Sequence, residues 1–228
     1  MRGLFITLEG ADGCGKSTQA AILADRIAAT GREVVRLREP GGTAVSEKIR
    51  ALVLDPENSE MAPECELLLF EASRAQLVRQ VIEPALARGA VVVCDRFYDS
   101  TFAYQAAGRS LAEPTIRAAN ALGSCGVAPD RTLVLDMDTD DALSRATRDG
   151  ADRMEAEGVA FQRRVREGYL RLVAEEPRRV RRVDAAGTVE EVAGRLADAL
   201  ADLLPDLAGE DLSLIHISEP TRLQLISY

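Results

Sequence analysis

Gly10-Ala11-Asp12-Gly13-Cys14-Gly15-Lys16-Ser17 fits the spacing G-x-x-x-x-G-K-[ST], the phosphate-cradling P-loop pattern. Before it stands Leu4-Phe5-Ile6-Thr7-Leu8-Glu9, an apolar run of strand length. After it, Ser17 to Ala29 carries Ile22, Leu23 and Ile27 at helical spacing. Strand, glycine loop and helix in that order are the context the pattern requires. Gly10, Gly13 and Gly15 let the backbone turn tightly and approach a phosphate. The N–H groups from Gly10 through Ala11, Asp12 and Cys14 to Thr18 then face the anion, as an ATP-binding segment. Lys16 is expected to reach the outer phosphates and Ser17 to offer its hydroxyl to Mg²⁺. A bare strand-to-helix turn would need neither residue.

The 228 residues suit one α/β domain or two small ones, and 46% apolar with 29% charged residues is a globular balance. A net charge of −9 argues against broad nucleic-acid binding, which needs a basic face, though not against a few arginines around one nucleotide. No apolar run approaches the roughly 18 residues of a membrane span. Met1-Arg2-Gly3 leads straight into the first strand and leaves no room for a signal peptide. Cys14, Cys65, Cys94 and Cys125 are widely spaced and read as free thiols in a reducing cytoplasm. The stretch 213–228 changes composition abruptly and resembles translated sequencing-adapter read-through, the alternative being a genuine irregular tail. His216, the only histidine, lies within it.

Along residues 1–209 strands alternate with helices. Glu33–Arg38, Ala90–Asp95, Arg131–Asp136 and a weaker Arg181–Asp184 join the first strand. Helical periods cover 46–54, 64–86, 99–105, 113–122, 140–148, 159–175 and 189–204, with Pro84 expected to kink or end the second of these. This pattern predicts one doubly wound, five-stranded parallel sheet flanked by helices, with a charged, apolar-poor lid segment at about 146–158.

Ligands of such sheets gather at the carboxyl ends of the strands. Those ends are Asp12–Ser17, the turn Glu39-Pro40-Gly41-Gly42-Thr43, and Asp95-Arg96-Phe97. Asp95 reads as a helper for Mg²⁺, or as a helix cap or partner of Arg96. Arg96 offers a planar fork that matches a phosphate. Phe70 and Arg74, four apart on a helix, pair a stacking ring with a carbonyl-reading guanidinium, or else are a core ring and a solvated cation. Thr101, Tyr104 and Gln105 share one short helix. Arg145, Arg148 and Arg153 flank or occupy the charged segment, as a solvated face or as arginines that close over the transferring phosphate.

With Glu39-Pro-Gly-Gly-Thr43, Asp95-Arg96-Phe97 and Asp99-Ser-Thr-Phe-Ala-Tyr-Gln105 in this order, residues 2–204 resemble the bacterial thymidylate kinases. The resemblance implies transfer from ATP to dTMP, giving ADP and dTDP, with Mg²⁺ and in a homodimer. It implies that Asp12 sits near the sugar 3′-hydroxyl and that Phe70 stacks on thymine. Arg74 would bond a thymine carbonyl, and Arg96 would hold the acceptor phosphate. Glu39 and Pro40 would line that site, with Thr101 and Gln105 along base and phosphate and Tyr104 against the sugar. Some family members carry an arginine where Gly13 stands here; the others place basic residues in the lid, which Arg148 and Arg153 match. Cys14 becomes a target for thiol reagents, and the adenine is expected near the turn after Asp184. The acceptor oxygen is already anionic, so no base is required and alignment with charge neutralisation supplies catalysis. Rival readings are a kinase for another nucleotide or a deoxynucleoside, and a nucleotide-dependent switch. A guanine-reading N-K-x-D is absent from the sequence.

Overall fold

The structure, a computed structural model, describes residues 2–147 and 152–209. Arg148 and the 213–228 tail, with His216, lie outside the described residues. Strands β1 (Phe5–Glu9), β2 (Val34–Arg38), β3 (Val91–Asp95), β4 (Arg131–Asp136) and β5 (Val180–Asp184) form one sheet in the order β2-β3-β1-β4-β5. Every pairing is parallel, as the strand–helix alternation requires. The three central strands are buried throughout, which explains the apolar run Val91–Cys94 of β3 and the apolar majority of β1.

Alternation across β1 sends Ile6 and Leu8 to one face, where helix α1 (Lys16–Ala29) brings Leu23 and Ile27. The C-terminal helix α9 (Val189–Leu200) adds Leu196 and Leu200 there, and Thr188 and Glu191 start it with a reciprocal capping box. Phe5 packs on the other face with Leu77, Ile82 and Phe97. Thr7 and Glu9 point the same way and are polar but fully buried. Thr7 is bonded to Thr132 at 2.8 Å, and Thr132 donates to Asp99, which Arg179 also grips with two N–H groups. That network lets polar side chains occupy a buried sheet face. It also gives Asp99, the first residue of its motif, a structural role.

The remaining helices are α2 (Ala44–Leu54), α3 (Pro63–Leu77), α4 (Glu83–Ala87), α5 (Tyr98–Thr101), α6 (Glu113–Gly123), α7 (Thr139–Ala146) and α8 (Val159–Glu175). Two of the expected helices are interrupted. The 64–86 period breaks after Leu77 into a widened turn, Val78–Ile82, and restarts at Glu83 with Pro84 in its first turn. A proline lacks an N–H, and it sits here just past the widened turn, in which the Glu83 N–H reaches back five residues to the Val78 carbonyl. The 99–105 helix is α5 followed by a second widened turn, Phe102–Gly108, in which the Arg109 N–H reaches back five residues to the Tyr104 carbonyl.

Candidate active site

Gly13 adopts a φ of 81°, and a Cβ there would lie 2.0 Å from the Ala142 carbonyl oxygen on α7. Helix α7 therefore rests directly on the loop, and no side chain fits at this position. Gly15 precedes α1 in a left-handed conformation, and no side chain caps the helix. Its first-turn N–H groups keep the positive end of the helix dipole for an anion. Lys16 is nearly buried and folds back over the loop, its Nζ donating to the Ala11 carbonyl at 2.7 Å. Ser17 donates from Oγ to Asp95 Oδ2 at 2.5 Å, so the loop and the end of β3 converge on one oxygen-rich point.

Arg96 follows immediately, at a φ of 73° that a non-glycine residue rarely adopts. Sparsely populated backbone persists where surroundings over-determine it, and these do. Nη1 donates to the Gly10 carbonyl at 3.1 Å and to Ser100 and Tyr169, both at 3.2 Å. Nη2 pairs with Asp12 and donates to the Tyr104 hydroxyl at 3.1 Å. The Tyr104 hydroxyl in turn donates to Asp12 Oδ2 at 2.8 Å. Burial would raise the Asp12 carboxyl, but Arg96 and Lys16 overcome it and hold the group down at about 2. Arg96 stays firmly cationic for the complementary reason.

Behind this fork, Glu9 accepts from the Phe97 N–H at 2.7 Å, from Ser100 Oγ at 2.5 Å and from the Tyr169 hydroxyl at 2.8 Å. Burial and then Asp99 push its carboxyl up to about 7, against the opposing pull of Arg96. A carboxylate closing an apolar strand was a visible signal for Glu9. Tyr169 gave none, since its spacing on α8 is that of a core residue.

Phe70, half-buried, and Arg74, 2% exposed, share a face of α3 as their spacing implies. Arg74 donates from Nε to Glu39 at 2.8 Å and from Nη1 to Glu71 and to Thr101 at 2.9 Å. It is therefore a buried, tightly held cation and not a solvated one. Glu39, joined to Pro40 by a cis peptide, is pushed up to about 7, by burial first, against Arg74, with Glu71 adding to the rise. Phe70, Arg74, Glu39, Pro40, Thr101, Tyr104, Gln105, Arg96 and Asp12 line one open cavity whose free space, solvent included, is about 570 Å³.

Arg50 also lines this cavity, unforeseen from sequence; it donates to the Pro40 carbonyl at 3.0 Å. Burial and the neighbouring Arg38 both work against its charge, so an anion there is favoured. A second cleft of about 510 Å³ opens beyond the ends of β4 and β5. Asp184, Ala186 and Gly187, from the turn expected near adenine, line it together with Arg145.

Two sequence-based expectations change. Arg153, expected at the transferring phosphate, is buried, donates to the Val53 carbonyl at 2.8 Å and pairs with Glu66 at 2.6 Å. Two acceptors inside the wall compete with solvent for it, which a charged sequence context hid. Cys14 is buried and its thiol is pushed up by that burial, so it is not a ready target for thiol reagents.

The thymidylate kinase family model matches residues 8–195. A thymidylate kinase from Rhizorhabdus wittichii is 48% identical over 208 residues, covering 90% of this chain and all of its own. One from Pseudomonas fluorescens is 49% identical over 210 residues, covering 92% of this chain and all of its own. The crystal structure of thymidylate kinase from Ehrlichia chaffeensis superposes with a TM-score of 0.71 at 31% identity, covering 88% of this chain and 99% of the other. Matched by the family model over residues 8–195 and by these relatives over nearly all of their length, the chain belongs to the thymidylate kinase family.

Proposed function

We propose that the 570 Å³ cavity is the dTMP site and that ATP lies along the P-loop with its base toward the second cleft. As a member of this family the chain is an ATP-dependent phosphotransferase that makes dTDP from dTMP. The observation that carries the assignment of sites is Arg96. One guanidinium bonds the Gly10 carbonyl of the phosphate loop and faces the cavity, so whatever anion it holds lies beside the triphosphate.

In this reading Phe70 stacks on thymine and the buried Arg74, with donors left over from Glu39, Glu71 and Thr101, reads a base carbonyl. Thr101 and Gln105 lie along base and phosphate, Tyr104 packs on the sugar, and Asp12 sits by the 3′-hydroxyl. Arg96 and Arg50 hold the acceptor phosphate. Lys16 and the loop N–H groups balance the charge that moves between the two nucleotides, and Arg145 stands at the cleft on the ATP side. A dTMP oxygen is already anionic, so alignment replaces a general base.

The Ser17 hydroxyl and the Asp95 carboxylate, in contact at the end of β3, are the hard oxygen donors Mg²⁺ takes beside nucleotide phosphates. Bound there, Mg²⁺ would withdraw charge from the phosphoryl oxygens.

Exposed Leu68 on α3 and Leu122 on α6, on helices that pack together, support a homodimer through helix faces. Among the described residues no helix is long and apolar enough to cross a membrane. The net charge of −9 argues against a broad nucleic-acid partner, and four free thiols fit a cytoplasmic enzyme. The test is ADP release from ATP with and without dTMP, and with dUMP, dCMP, dGMP or thymidine in its place. Strong stimulation by dTMP above the others supports the reading. Release indifferent to any acceptor would point to a nucleotide switch.

A further inference from the structure

Leu54, Gln105 and Met154 line the cavity from three separate parts of the chain. What fastens them lies behind the wall. Glu66 on α3 has no solvent exposure, and its Oε1 accepts from Gln105 Nε2 at 2.8 Å and from Arg109 Nε at 3.2 Å. Its Oε2 accepts from Arg109 Nη2 at 2.9 Å and pairs with Arg153 Nη2 at 2.6 Å. Arg153 carries the link onward. Its Nε donates to the Val53 carbonyl at 2.8 Å and its backbone N–H to the Leu54 carbonyl at 3.2 Å. Arg109 pairs with Glu157, and both guanidinium groups approach the Met154 sulfur, at 3.8 and 3.4 Å.

The cluster balances two carboxylates against two guanidinium groups, as buried charge must. Burial alone would raise the Glu66 carboxyl, but these donors hold it below its ordinary value. Apolar side chains in place of the whole charged cluster would pack about as well, whereas loss of Glu66 alone strands two guanidinium groups. What directed bonds add is register: one carboxylate ties the end of α2, the widened turn after α5, and the 152–158 segment to each other.

We propose that Glu66 is a positioning residue for dTMP, setting the cavity wall by holding Gln105 and Arg153 together. The proposal rests on reading this cavity as the dTMP site. It also assigns Arg153 to the wall, where it acts on acceptor binding and touches no transferring phosphate.

The experiment measures steady-state kinetics of Glu66→Gln, Arg153→Ala, Arg153→Lys and the double variant Glu66→Gln/Arg153→Ala, with Phe70→Ala alongside. Loosening the wall should raise the dTMP KM roughly tenfold in each of the two neutralising single variants, with kcat and the ATP KM within about twofold. Arg153→Lys should recover part of that loss. The double variant should be little worse than the poorer single one, because both remove the same link. Thermal melts identify any variant that fails to fold, and the Arg153 pair then carries the test, since its guanidinium stem can be shortened without leaving Glu66 unpaired from Arg109. An Arg153→Ala enzyme with lowered kcat and an unchanged dTMP KM would overturn the proposal, as would unchanged kinetics in both neutralising variants. If Phe70→Ala itself left the dTMP KM untouched, the cavity reading would fall first and the proposal with it.

Discussion

Ser17 Oγ lies 2.5 Å from Asp95 Oδ2, joining the first turn of α1 to the end of β3 across 78 residues of sequence. A hydroxyl and a carboxylate in contact, next to a helix N-terminus, form a small patch of hard donors for a cation that also binds phosphate. Ser17→Ala and Asp95→Asn should each raise the Mg²⁺ concentration for half-maximal rate by about 10- to 100-fold, in the range seen when a metal's supporting groups are lost. A Mg²⁺ titration of initial rate at saturating ATP and dTMP measures this. An unaltered Mg²⁺ requirement would remove both residues from the metal.

Phe70 supplies a face and Arg74 a fixed cation. Removing the ring should cost the stacking of one base, about 1–3 kcal/mol, or roughly a 5- to 150-fold rise in dTMP KM. Arg74→Ala should do more harm, because it strands Glu39 and Glu71 as buried carboxylates without their shared partner. Thermal melting separates the two variants: Phe70→Ala stays near wild type and Arg74→Ala melts well below it. Equal melting temperatures would contradict the buried ion-pair account.

The parts legible in sequence are those set by local chemistry. A P-loop demands its glycines, lysine and hydroxyl at fixed spacing, and a buried parallel strand announces itself as Val91-Val92-Val93-Cys94. Most residues that line the cavity beside Arg96 lie in motifs the sequence singles out. What escaped depends on long-range partners. Nothing near Arg153 in sequence reveals that Glu66 and the Val53 carbonyl wait for its guanidinium. Arg50 enters the cavity because α2 runs beside the Pro40 turn, and the widened turns at 78–82 and 102–108 come from tertiary packing that overrides a plain helical period.

Glu9 makes stability depend on pH in a stated direction. The folded chain keeps the Glu9 proton to about 7, whereas an unfolded chain releases it near 4.5. Between those values the folded state binds more protons, so stability falls as pH rises through the window. Glu39 acts in the same sense. Asp12, lowered to about 2, works oppositely: its contribution is present above 3.8 and is lost as pH falls toward 2. Melting temperatures across pH should therefore show Glu9→Gln losing part of the decline between 4.5 and 7. A Glu9→Gln curve parallel to wild type would show that Glu9 is ionised throughout in the folded chain.

Cys14 sits inside the phosphate loop, yet its thiol is buried and pushed up. Thiolates are the reactive form, so iodoacetamide at neutral pH should leave Cys14 unmodified and the kinase active. Peptide mapping after brief labelling checks it, with full modification expected only after denaturation. Rapid loss of activity with carboxamidomethyl-Cys14 would contradict the packing described for the loop.

Where dTMP lies in a crystal of the complex tests the central claim most directly. The account predicts its phosphate at Arg96, within reach of the loop that begins at Gly10, and its base against Phe70 and Arg74. A well-ordered dTMP bound in the cleft beyond β4 and β5, or anywhere else away from Arg96, would contradict it.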